Sequence, residues 1–204
     1  MKQLVQICIF FLLFSCQTQQ KKAIQAAVTK PKPIILFQPL AFSDAFTLER
    51  IKDSVEKIYD VTVSIQPNTS LPDTLFYKPR NRYRAEKIIH WLQMQMPDSA
   101  RTIVGITSMD VSTTKGEIYD YGVMGLGYKP GRACVVSTFR PAKTAKGKNH
   151  LQQRLLKLVI HEMGHNFGLP HCSNEECFMV DAEGQMKLDK ERYLCTNCKN
   201  HLKL

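Results

Sequence analysis

His161-Glu162-Met163-Gly164-His165 sets two imidazoles four residues apart, with a carboxylate beside the first. On a helix, positions four apart share a face, so both rings can bind one Zn²⁺. Glu162 can then reach a zinc-bound water as general base. His171, six residues beyond His165, can come back as a third ligand, because Gly168 stands where a helix must stop and turn. Three neutral imidazoles leave the fourth position of a tetrahedral ion to water, as catalysis requires. The expected chemistry is peptide-bond hydrolysis: zinc polarises the carbonyl and acidifies water, and Glu162 passes the proton to the leaving amine.

These groups need a scaffold, and the pattern supplies one. Asn149–Phe167 reads as the helix that carries the motif, with Leu155, Leu156, Leu158, Val159 and Phe167 on its buried side. Upstream, Ile34–Leu40, Val61–Ile65, Arg101–Thr107 and Arg132–Thr138 read as strands. Ser43–Tyr59, with Ser43 as N-cap, and Arg80–Met96, stopped by Pro97, read as helices. A polar loop is expected before Tyr121–Tyr128, a glycine-interrupted extended segment. The alternation predicts an α/β (α+β mixed sheet) fold with helices packed on the sheet.

The chain has 204 residues, 44% of them apolar and 23% charged, which suits one globular domain. A net charge of +10 favours anionic partners without naming them. The first 15 residues read as an export signal: Met1-Lys2 is followed by the short apolar run Leu4–Phe14. Leu13-Phe14-Ser15-Cys16 resembles a bacterial lipobox, which makes Cys16 the expected lipidation site. Residues 16–33 read as the lipidated cysteine and a polar, basic tether, and residues 34–204 as the catalytic domain. The expected location is therefore the bacterial cell envelope, membrane-anchored as an exported lipoprotein.

HEMGHNFGLPH, followed directly by Cys172, then Cys177-Phe178-Met179 and Cys195-Thr196-Asn197-Cys198, resembles the archaemetzincin family of metzincin zinc peptidases. The resemblance implies a zincin fold divided at residue 168, with a small zinc-tied lobe at 169–204. It implies a catalytic zinc on His161, His165 and His171, and a structural zinc on Cys172, Cys177, Cys195 and Cys198. Two Zn²⁺ per chain follow. Four thiols with a CxxC half-site suit structural zinc, and two disulfides are the rival in an oxidising envelope. The resemblance also makes Met179 the Met-turn residue under the catalytic zinc, with Met186 as competitor, and Tyr121–Tyr128 the strand that pairs with extended substrate.

Between Tyr121 and His161 there are eight basic residues and no acid, so a cleft framed by this stretch would draw acidic substrates. His90-Trp91 is expected to pack the second helix, His150 to lie near the start of the third, and His201 to belong to the tail. Cys134 is expected to be a buried apolar residue. The reading is a monomeric zinc peptidase acting on peptides or proteins. One alternative is a catalytically weak zinc protein that binds peptides or anionic envelope polymers. A nucleic-acid binder is the other, opposed by the export signal and the lack of basic residues interleaved with stacking aromatics.

Overall fold

In the computed structural model, residues 31–204 are described, and Pro33–Leu204 forms one compact unit. The leader, Cys16 and the tether up to residue 30 lie outside the described residues.

The apolar run Ile34–Leu40 is β1, and it pairs in parallel with β2 (Thr62–Ile65) on one side and β5 (Ala100–Thr107) on the other. Strand β9 (Ala133–Ser137) continues the parallel sheet, and β8 (Gly125–Gly127) closes it antiparallel, in the order β2-β1-β5-β9-β8. These central strands are buried on both faces, which explains their continuous hydrophobic reading. Alternate residues feed two cores. Ile35, Phe37, Val104, Ile106 and Val136 face α1 (Ala45–Tyr59) and the motif helix. Leu36, Leu40, Ile103 and Val135 face α2 (Ala85–Gln95), whose Ile88, Ile89 and Leu92 pack against them.

A second sheet has the order β3-β4-β6-β7, from β3 (Phe76–Tyr77), β4 (Arg82–Arg84), β6 (Val111–Lys115) and β7 (Ile118–Val123). Three expectations are corrected here. The expected polar loop before Tyr121 is the β6–β7 hairpin, turning at Gly116 with φ 56°. The expected helix from Arg80 begins at Ala85, because Arg82–Arg84 is extended and pairs with β6. Arg84 is buried there, held by Glu86, the Tyr119 carbonyl and Thr114 Oγ1. Finally, the N-cap of α1 is Asp44, not Ser43: its carboxylate accepts from Thr47 N at 3.1 Å.

After β9 come the short α3 (Phe139–Ala142), the motif helix α4 (Lys148–Asn166) and, near the end, α5 (Thr196–Asn200). Between α4 and α5 the chain is largely irregular. Its Cys177, Phe178, Met179, Leu188, Leu194 and Cys195 join the same core that α4 shares with the sheet. Of the residues with bland expectations, Cys134 is fully buried and His150 lies in the first turn of α4, as expected. Trp91 packs against the α2 core, but His90 is exposed, as is His201. Among the described residues, no helix is long and apolar enough to cross a membrane.

Candidate active site

Helix α4 ends in a Schellman motif. Gly168 takes φ 90°, Leu169 N donates to Gly164 O at 2.9 Å, and Gly168 N to His165 O at 2.9 Å. The reversal brings His171 back to the two helical histidines. The ring centroids of His161 and His165 lie 5.4 and 4.9 Å from that of His171.

Each ring is oriented by a partner on Nδ1. His161 donates to Phe178 O at 2.7 Å, His165 to Leu169 O at 2.8 Å, and His171 faces the Asp181 carboxylate at 3.2 Å. Because carbonyls only accept, Nδ1 of His161 and His165 carries the proton and each Nε2 presents a lone pair. Those two Nε2 atoms stand 3.1 Å apart. Two lone pairs facing each other repel unless a cation lies between them. Tetrahedral Zn–N bonds would separate the nitrogens by about 3.3 Å. The candidate ligand atoms of all three histidines lie within 4.8 Å of one another. Burial, reinforced by neighbouring His165, lowers the His161 pKa to about 3, and burial lowers that of His165 as well, so both rings are neutral.

Glu162 is 6% exposed and points toward β8. A Cβ on Gly125 would lie 2.5 Å from its Oε1, so the close approach of strand and carboxylate requires glycine there. Burial pushes the Glu162 carboxyl up to about 8, and a hydrogen bond from the Gly127 backbone pulls the other way. Asn166, fully buried, ties the strand ends to α4 by donating to Tyr128 O and Ala133 O, each at 3.1 Å.

The four cysteines form a second cluster. Cys172 and Cys195 sulfurs are 3.8 Å apart, as are those of Cys177 and Cys198, and all four lie within 4.8 Å of one another. A disulfide needs about 2 Å. Four thiolates around one zinc would lie about 3.8 Å apart. The donor set and its spacing therefore fit a tetrahedral metal. Cys172 N also donates to Met179 O at 2.7 Å, which joins the cluster, His171 and Met179 in one loop.

Met179 is fully buried against Gly164 beneath the motif turn, whereas Met186 lines the cavity above it. That cavity, of about 640 Å³, runs over His161, Glu162 and His165. One wall is Tyr121–Gly127, but this segment is two edge strands, not one: β7 ends the second sheet and β8 ends the first.

The expectation of a basic cleft is corrected. Of the eight basic residues only Lys129 and Arg140 line the cavity, and Arg140 is ion-paired with Asp110 at 3.0 Å. Arg154 is buried in a two-pronged pair with Asp189, at 2.8 and 2.6 Å, and Lys157 donates to Leu188 O. Both hold the C-terminal segment to α4. Asp181, Glu183 and Glu191 add acid to the lining. The glycines of Tyr121–Tyr128, Gly125 among them, are legible in the sequence, but no spacing rule marks Asp181, Glu191 or Asn166.

Comparison with known proteins places the chain in context. The family model for Peptidase family M54 matches residues 48–204. An archaemetzincin of Haloquadratum walsbyi is 33% identical over 149 residues, covering 69% of this chain and 83% of that protein. One from Haloarcula marismortui is 31% identical over 176 residues, covering 80% and 96%. The crystal structure of archaemetzincin from Archaeoglobus fulgidus, complexed with malonate, is similar with TM-score 0.67 and 26% identity, covering 83% and 99% of the two chains. That from Methanopyrus kandleri gives 0.71 at 24% identity, covering 85% and 95%, a likeness of fold.

Proposed function

The chain belongs to peptidase family M54, the archaemetzincins, and we propose how its own residues perform the zinc-dependent hydrolysis of peptide bonds. His161, His165 and His171 would hold the catalytic zinc. The observation that carries this assignment is the 3.1 Å approach of two Nε2 lone pairs whose rings are fixed from behind. When bound, zinc supplies Lewis acidity toward the scissile carbonyl and the attacking water. Glu162 takes a proton from the attacking water as its oxygen bonds to the scissile carbon, then delivers that proton to the amine nitrogen as the C–N bond breaks. The β8 edge offers its backbone to an extended peptide, which would add affinity largely independent of sequence. Asp181 orients the His171 ring, and Met179 supports the turn below.

Cys172, Cys177, Cys195 and Cys198 hold a second, structural zinc, giving two per chain. Their 3.8 Å spacings support this over two disulfides. Because Cys172 adjoins His171, the second ion fixes the loop that delivers the third catalytic ligand.

The test uses the zinc-loaded full chain with a mixed-sequence peptide library, products being read by mass and metal by elemental analysis. Two zinc per chain and cuts made by wild type but not by Glu162→Ala are expected. Hydrolysis by Glu162→Ala would overturn the role of Glu162, and one zinc per chain would overturn the second site.

The same proposal includes an envelope lipoprotein, lipidated at Cys16 and acting as a monomer. The leader pattern of residues 1–15 supports the anchor. Radiolabelled palmitate should enter the chain and be lost in Cys16→Ala. A particle of one chain is expected by light scattering in detergent.

A further inference from the structure

We propose that Glu191 determines specificity, selecting peptides that place a lysine or arginine side chain in the cavity beside the bond to be cut. This rests on the peptidase reading and names its substrate class. Glu191 lines the same cavity as His161 and Glu162 but is only 3% exposed. Its Oε2 is buried without a hydrogen-bond partner. Lys157, on α4, attracts the carboxylate electrostatically but makes no hydrogen bond to Oε2, and its amine donates to the Leu188 carbonyl. A buried carboxyl left unpaired costs free energy that the fold by itself does not return.

The cavity wall around it has the complementary chemistry. Leu158 lies one turn before His161 and Glu162 on α4, and Leu188 and Met186 come from the segment that carries Glu191. Apolar walls with an acid whose Oε2 lacks a hydrogen bond match a side chain with an aliphatic stem and a cationic head. The pair would form away from bulk water, where screening is weak. A neutral side chain in the same place would leave the carboxyl unpaired, the situation in which discrimination is largest. The lining also holds Glu162, the general base, and the cations Lys129 and Lys115, the latter over the Tyr121 ring at 4.7 Å. Asp181 faces His171, Glu183 pairs with Lys187, and Arg140 pairs with Asp110. Burial raises the Glu191 carboxyl to about 7, and a cation in contact would draw it back down.

The experiment measures kcat/KM of the zinc-loaded full chain on fluorogenic peptides that differ only by lysine, leucine or glutamate at the position the library shows entering the cavity. Wild type should prefer lysine to leucine by roughly 10- to 100-fold. Glu191→Gln, close in shape, should reduce that ratio to about threefold or less, and Glu191→Lys should turn preference toward glutamate. Glu191→Asp should restore part of the lysine preference. Zinc content and melting temperature confirm that each variant is folded. Absence of a basic preference in wild type, or an unchanged ratio in Glu191→Gln, overturns the proposal alone. Cleavage of no peptide by zinc-loaded wild type overturns the peptidase reading and this inference with it.

Discussion

The Met179 sulfur packs directly against the backbone of Gly164, so closely that no Cβ fits between them. Gly164 lies inside the motif, one residue before His165, and the Tyr59 hydroxyl crowds the same spot while donating to Ile160 O at 2.6 Å. The glycine of the motif is therefore set by the floor beneath it. Helix propensity alone would disfavour it by about 1 kcal/mol relative to alanine.

Gly164→Ala is expected to destabilise the chain by about 1–3 kcal/mol, through overpacking. Combining it with Met179→Ala should recover part of that loss, because the two changes share one space. Thermal unfolding of the two single variants and the double variant measures the coupling. Strict additivity would show that Met179 is not what excludes a side chain at Gly164.

Gly125→Ala should lower kcat/KM by about 100-fold, because the new methyl displaces the Glu162 carboxylate and small misplacements are costly in catalysis. Both zinc ions should remain bound, since the three atoms nearest the new methyl all belong to Glu162, which is not a proposed ligand. Activity within a few-fold of wild type, at full metal content, would mean that the strand yields to the methyl.

Cys172→Ser should reduce zinc from two to one per chain and lower the melting temperature. Loss of order in the His171 loop should also weaken the remaining ion, by about 10- to 100-fold if the loop acts as an outer-shell support. Competition with a chelator reads the affinity. A variant that keeps both ions would remove Cys172 from the ligand set.

Glu191 gives a pH signature. Its carboxyl titrates at about 7 when folded, raised by burial, against an ordinary 4.5. Between those values the folded chain holds a proton that the unfolded chain has released, so stability falls as pH rises through the window and levels off above it. Lys157 opposes the shift and Asp189 adds to it. Glu191→Gln should therefore gain stability over wild type by roughly 2–3 kcal/mol at about pH 8, and by little at about pH 5. Unfolding midpoints at the two pH values test the sign, and zinc effects common to both proteins cancel in the difference.

The strands of the central sheet could be read directly, because burial on both faces leaves unbroken apolar runs such as Ile34–Leu40. The second sheet could not. Val111–Lys115 is mostly Ser, Thr and Lys, and it is a strand because β4 and β7 pair with it, a tertiary fact. For the same reason Arg82–Arg84, which suits a helix by propensity, is extended. Charge was least legible. Arg154 and Lys157 counted as cleft cations in the sequence, and both prove to be ties between α4 and the C-terminal segment.

The sequence by itself determined the catalytic chemistry, since a four-residue helical spacing, a glycine stop and a returning histidine encode local geometry that needs no distant partner. It also marked the four thiols that the fold gathers into a second cluster, through donor type and the CxxC spacing. Only the tertiary structure decided what surrounds them: Asp181 behind His171, Met179 below Gly164, Gly125 against Glu162, and Glu191 in the cavity wall with its Oε2 lacking a hydrogen bond. These contacts join residues far apart in the chain, or on segments without periodic structure. Their positions follow from how the sheets, helix and C-terminal segment pack, which no local pattern records.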